Sequence, residues 1–222
     1  MKDFPAFITE YGAASLILRE IPYQGIAYIH LRDTLEPKKL LAECISFCRA
    51  CGAEKIYAAG EALNDEMLSY PLHTEIWEMT GSVQPGGDRF RLVENTTVST
   101  WRELYRRTMT GVDNAAILES RDEKRLLEEG KAGFVRNDGG ECLGIVWIND
   151  SELLALAAVQ PHCGERTLRG AVDRETRLTL EVASTNTRAL ALYKRMGFQK
   201  TAIRSRWYTV FEKRNPLSRK NT

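Results

Sequence analysis

The sequence is poor in the residues that announce simple function classes. Among 222 residues there are five cysteines, three histidines and seven prolines, and the formal net charge is only +1. Few cysteines, odd in number, make no disulfide framework and fit a reducing compartment. A balanced charge excludes a chain that wraps nucleic acid with a surplus of Lys and Arg. No apolar run approaches the ~18 residues needed to span a bilayer. Met1-Lys2-Asp3-Phe4 opens no apolar leader, so a cytoplasmic location without a membrane partner is expected. What remains is ordinary: 43% hydrophobic and 27% charged residues, enough for one large or two small α/β or α+β domains.

Organisation follows from periodicity and punctuation. The β-branched run Gly25 to Leu31 reads as a strand, Pro37 to Cys51 as a helix stopped by Gly52, and Lys55 to Ala59 as a second strand. Tyr70 to Met79, closed by Gly81, reads as a short helix. Gln84-Pro85-Gly86-Gly87-Asp88 forbids regular structure and is the expected linker. The expected division is therefore 1–83, a linker at 84–88, a main domain at 89–211, and a short basic tail at 212–222. In the main domain, Phe90 to Val93 reads as a strand. Ser99 to Met109 reads as a helix capped by Ser99 or Thr100, and Arg121 to Glu129 as another helix. A hairpin turns at Asp138-Gly139. Strands follow at Glu152 to Val159 and Leu178 to Val182, then a helix at Asn186 to Met196 and one or two final strands from Phe198 to Val210.

The most specific signal is near the end. After a strand, Asn186, Ala189, Leu192, Tyr193, Gly197 and Phe198 fill the pattern N-x-x-A-x-x-L-Y-x-x-x-G-F. Asn186 is a good helix cap, and positions 186, 189 and 193 share one helical stripe. This stretch resembles the GCN5-related N-acetyltransferase superfamily, and the element order over roughly 120 residues, from Phe90 to Val210, is similar to that fold. The resemblance implies an α/β fold with a mixed twisted sheet of the acyl-CoA N-acyltransferase type. It implies acetyl transfer from acetyl-CoA to the primary amine of a small molecule or peptide, with no metal. Coenzyme A would lie where the Val159 strand splays from the Leu178 strand, its pantetheine amides paired with backbone at Ala158 and Val159. Asn186, Ala189 and Tyr193 would border it, and Tyr193 would protonate the departing thiolate. A carboxylate, Glu152 or else Glu181, would deprotonate the amine.

The resemblance also exposes a defect. The strand ends in Val159-Gln160-Pro161 as the family's does, but the glycine-rich run that cradles the coenzyme A pyrophosphate is missing from His162 to Gly170. Gly164 is either the last glycine of a deleted loop or the first of a substituted one. Only sixteen residues, 162 to 177, separate Pro161 from Leu178. A loop and a turn consume about ten of these, leaving roughly six for a helix. Gly164, Arg166 and Thr167 are the candidates at the phosphates, with Arg166 or Arg169 compensating by side-chain contacts. The alternative to an enzyme is a non-catalytic binding or assembly module with this eroded loop. A monomer or homodimer is expected.

Two weaker signals complete the reading. Ile76 to Gly81 has the spacing of Leu192 to Gly197, with Trp77 in the tyrosine's place, so the first eighty residues resemble a degenerate βαβα copy of the same unit. Cys44, Cys48 and Cys51 fall at i, i+4 and i+7, which suits a helix's core stripe better than a zinc site lacking a fourth ligand. Cys163, beside His162, is a weak nucleophile candidate.

Overall fold

The structure, a computed structural model, describes residues 6–60, 69–113 and 115–213. The expected basic tail from 214 onward, the N-terminal tetrapeptide and residues 61–68 lie outside the described residues. The chain divides into two compact units, Met1–Glu75 with Ser205–Thr222, and Ile76–Arg204.

In the first unit, β1 (Ala6–Thr9) and β2 (Gly12–Ile17) form a hairpin, and β2 pairs antiparallel with β3 (Ile26–Thr34). A short helix α1 (Ile21–Gln24) precedes β3, and α2 (Pro37–Ala50) crosses over to β4 (Lys55–Ala59), which pairs parallel with β3. The C-terminal part of β11 (Gln199–Glu212) pairs antiparallel with β4. Leu40, Leu41, Cys44 and Cys48 of α2 are buried against Ala27, Ile29, Leu31 and Ile56. The thiols of Cys44 and Cys48 are thus core atoms, and burial pushes them up to about 12 and about 11. Cys51 differs from the expected stripe: it is the helix's C-cap and is exposed. The β1–β2 hairpin carries no strong sequence signal. Its one turn residue of note is Gly12, at φ 138°, where a Cβ would lie 2.2 Å from the Asp33 carbonyl oxygen.

The second unit is a mixed sheet with helices on both faces. From one edge, its order is β5 (Leu72–Val83), β10 (Thr176–Ala183), β9 (Glu152–Ala158), β8 (Cys142–Asn149), β7 (Lys131–Arg136) and β6 (Arg89–Leu92). All neighbours are antiparallel except β9 and β10. β8 is apolar along its length because both its faces are covered. Ile145 and Trp147 join the cluster under α3 (Val98–Met109) and α4 (Glu123–Glu128), whereas Val146 and Ile148 join the cluster under α5 (Gly164–Gly170) and α6 (Thr187–Arg195). Thr97, not Ser99 or Thr100, is the N-cap of α3. The stretch expected to hold one or two final strands holds one, β11.

Residues 70–79 are not helical. Leu72–Val83 is a twelve-residue strand, and Ile76 to Val83 pairs with Ala183 to Thr176 of β10. Ile76, Met79, Gly81 and Val83 are buried. The buried residues change faces midway, Thr74 and Ile76 on one and Met79, Gly81 and Val83 on the other, which breaks the period-two alternation and lets the run read as a 3.6-residue stripe. Gly81 is in the strand because Phe198 packs on it: a Cβ there would lie 2.7 Å from the Phe198 ring. The correspondence between Ile76–Gly81 and Leu192–Gly197 therefore fails, one being strand and the other helix, and Trp77 holds no tyrosine-like place on a helix.

Candidate functional site

The site is built on how β9 and β10 part. They are in parallel register at two positions only, Glu152 with Thr179 and Leu153 with Leu180, and the Thr179 N–H donates to the Ser151 carbonyl at 2.8 Å. Beyond this point β10 stays with β5 as far as Ala183, and β9 stays with β8 as far as Ala158. The register between β8 and β9 shifts so that Leu154 is an extra residue, a bulge that bends β9 where the separation begins. Leu154 is half-exposed there.

Which backbone groups face the opening follows from the ladder. The Val159 N–H donates to the Leu143 carbonyl at 2.9 Å. In an antiparallel pair successive residues alternate sides, so Val159, Ala157 and Ala155 address β8 while Ala158 and Leu156 turn their N–H and C=O toward the split. This corrects one expectation: Ala158 is available to an added strand, but the Val159 N–H is already bonded. Leu156 is the residue that sequence reasoning missed, because no sequence signal says which way a strand's peptides point.

Side chains flank the split on opposite faces. Leu153, Leu156 and Ala158 of β9 pack in one cluster with Leu180 and Val182 of β10 and with Tyr193, Leu190 and Ala189 of α6. Period-two alternation puts Glu152, Thr179 and Glu181 on the other face. The Thr80 and Thr179 hydroxyls, 3.2 Å apart, mark that face. Glu152 and Glu181 are both exposed. Glu181 stands directly across from Glu78. Glu78 is held by the Thr201 hydroxyl at 2.7 Å and by Arg204, which keep its carboxyl below the usual range. The candidate proton donor and the candidate bases thus approach the split from opposite sides of the sheet.

Asn186 caps α6 as its type suggests, with its Oδ1 accepting from the Ala189 N–H at 3.1 Å. Tyr193 is buried, its ring 5.5 Å from that of Phe198, and burial raises its phenol far above the ordinary value. Just before the cap, the Thr185 hydroxyl bonds Asp113 on the loop after α3 at 2.5 Å. This tie between distant segments left no trace in the sequence.

The other half of the expected site is different. Val159 to Cys163 connects β9 to α5 without a glycine, with His162 at φ 62°. α5 is seven residues long, as the spacing leaves room for. Gly164 is its first residue and serves close packing, since a Cβ there would lie 2.9 Å from Leu192. Thr167, expected at the phosphates, is instead completely buried. Its hydroxyl and its N–H both donate to the Cys163 carbonyl, each at 2.8 Å, and it packs on Gly144. Arg166 is bound in a fork by Asp88, at 3.1 and 2.6 Å. Arg169 donates to Glu165 at 3.0 Å. Asp88 belongs to the connection after β5, whose Gly86 N–H donates to the Arg169 carbonyl at 2.9 Å. The opening thus leaves the peptides of Leu156 and Ala158 without a strand partner on one side, and the turn beyond it carries no glycine.

No family model matches the chain, and no curated protein does. Solved structures do match. A conserved protein of unknown function from Staphylococcus epidermidis aligns over 94% of each chain with TM-score 0.55 and 12% identity. Two GCN5-related N-acetyltransferases from Kribbella flavida align with TM-scores of 0.54 and 0.52 and identities of 11% and 12%. They cover 91% and 96% of this chain and 58% and 91% of their own. At this identity the likeness is one of fold, and the fold is that of the GCN5-related N-acetyltransferases. Among the described residues no helix is long and apolar enough to cross a membrane, and no three His, Cys, Asp or Glu side chains gather for a metal.

Proposed function

We propose that this protein transfers an acyl group, acetyl in the simplest case, from a pantetheine thioester such as acetyl-CoA to a primary amine. The observation that carries this reading is the parting of β9 from β10 after two paired positions, which leaves the peptides of Leu156 and Ala158 without a strand partner on that side. An extended amide-bearing arm adds to such an edge by main-chain hydrogen bonds.

The residues then have definite work. A strand-edge N–H polarises the thioester carbonyl. Glu152 or Glu181 takes the proton of the amine, whose nitrogen forms the new C–N bond as the C–S bond breaks. Tyr193 supplies the proton to the leaving sulfur. Burial keeps the phenol protonated throughout the neutral range, so it is always ready to donate. The same burial makes the phenol a weaker acid, so its contribution stays within the range of about 10²–10⁴-fold of a positioned proton donor. A soluble compartment with acyl-CoA, and a monomer or homodimer, accompany this reading.

The test is release of free thiol from acetyl-CoA by the purified full chain against a panel of primary amines. Amine-dependent release supports it. Donor binding without release on any amine favours the second reading, a non-catalytic module of the same fold, for which the glycine-free turn at Val159–Cys163 speaks.

A further inference from the structure

We propose that this chain recognises its acyl donor through the pantetheine arm alone, and discriminates little between coenzyme A, 4′-phosphopantetheine and pantetheine. The inference rests on the slot between β9 and β10 described above, and goes beyond it in saying what the chain does not read.

Three observations at the end of β9 carry it. First, two N–H groups of the turn and of the start of α5 are already directed at carbonyls. The Cys163 N–H is directed at the Gln160 carbonyl at 3.4 Å, and the Thr167 N–H at the Cys163 carbonyl. His162, in a left-handed conformation, sets a side chain where a glycine would leave the backbone open. Second, the glycine that remains, Gly164, has its open side occupied by Leu192. Third, both arginines that would substitute for missing N–H groups already hold carboxylates: Arg166 is gripped by Asp88 and Arg169 by Glu165. Glu165 also faces Arg195 at 3.7 Å.

The Asp88 contact is the strongest of these. Its side chain is only 12% exposed, and its place is fixed from two directions. Gly86 is hydrogen-bonded to Arg169, and Gly170 packs against Asp88, where a Cβ would come within 3.1 Å of the Asp88 Cβ. A forked carboxylate presents to a guanidinium what a phosphate would present. Asp88 is therefore a built-in anion where a diphosphate would need the arginine. By contrast the arm's partners, the peptides of Leu156 and Ala158, are untouched by any of this.

A hydrogen bond to a charged acceptor is worth about ten- to a hundredfold in affinity. A chain that reads the diphosphate with two such bonds prefers coenzyme A over pantetheine by at least a hundredfold. Calorimetric titration of the full chain with coenzyme A, 4′-phosphopantetheine and pantetheine, all as free thiols, reads the difference directly. Dissociation constants within about tenfold of one another are expected, and coenzyme A tighter than pantetheine by more than that overturns the proposal. In Asp88→Asn, freeing Arg166, coenzyme A should tighten about tenfold while pantetheine is unchanged; equal effects on both ligands would show that Asp88 is not standing in for phosphate. If none of the three binds at millimolar concentration, the slot itself is refuted, and with it the acyl-donor reading.

Discussion

Two strand-helix-strand crossovers in this chain share an element order and differ in what they leave open. In β3-α2-β4 the strands are in register at five successive positions, from Ile26–Lys55 to His30–Ala59, under a helix of fourteen residues. In β9-α5-β10 the register holds at two positions under a helix of seven. A parallel pair zipped along its length uses its peptides on each other. A pair that parts leaves peptides for a ligand. What opens the second is the Leu154 bulge together with partners that pull the strands apart, β8 on one side and β5 on the other. A βαβ connection is thus not itself a ligand site, and the first crossover offers no slot for an acyl donor.

The largest effect that sharpens this contrast is on stability. Leu40 of α2 is fully buried beneath the first crossover. Leu40→Ala should cost about 2–5 kcal/mol, read by denaturant unfolding. Under conditions where the variant remains folded, its affinity for the donor should equal that of the native chain. Lost affinity in a folded variant would mean that the first crossover does more than support.

Next comes the split. Ala158→Pro removes the N–H directed away from β8, and the β8–β9 ladder, which bonds through Val159 and Ala157, loses nothing. Donor affinity should fall at least about tenfold with little change in unfolding midpoint, and retained affinity would break the assignment of this edge to the arm. Tyr193→Phe keeps the buried ring and removes the hydroxyl. Turnover should fall about tenfold or more while donor affinity holds, measured as thiol release against titrated binding. Unchanged turnover would leave Tyr193 as a core residue only.

The sequence made much of this legible where one element depends on one local cue. Asn186 as a cap, the α2 stripe of Leu40, Leu41, Cys44 and Cys48, the strand at Lys55–Ala59 and the shortened α5 all follow from spacing and residue type. What failed depends on contacts far apart in the chain. β5 reads as a helix because its buried residues change faces after Ile76, which breaks the alternation, and its pairing with β10 makes it a strand. Thr167 is attractive at a phosphate by type, yet the approach of Gly144 turns it into the interior. Arg166 looks free until Asp88, seventy-eight residues earlier, is brought beside it. The tie from Asp113 to Thr185 has the same character.

The smallest effect compares the carboxylates that β5 presents to β11 in the two units. Glu75 in the first meets Arg206 at 2.9 Å. Glu78 in the second meets Arg204 and has a further donor, the Thr201 hydroxyl. The Thr201 bond first, and then Arg204, favour the charged form of Glu78, so its carboxyl is lower in the folded chain than its ordinary 4.5. An unfolded chain then takes up this proton at a higher pH than the folded one. The stabilisation is fully present above the unfolded value and is lost as the pH falls through the folded one. Its size is small because Arg204 is exposed and screened by solvent. Glu78→Gln should therefore lower the thermal midpoint slightly at pH 7 and not at all once the pH is below both values, and added salt should narrow the gap at pH 7. Thr201→Val should reproduce part of the loss with the same pH dependence. A Glu78→Gln deficit that persists unchanged into acid would instead mean that the residue acts through packing, and that the second unit's carboxylate is no more an electrostatic clasp than a neutral side chain of the same shape.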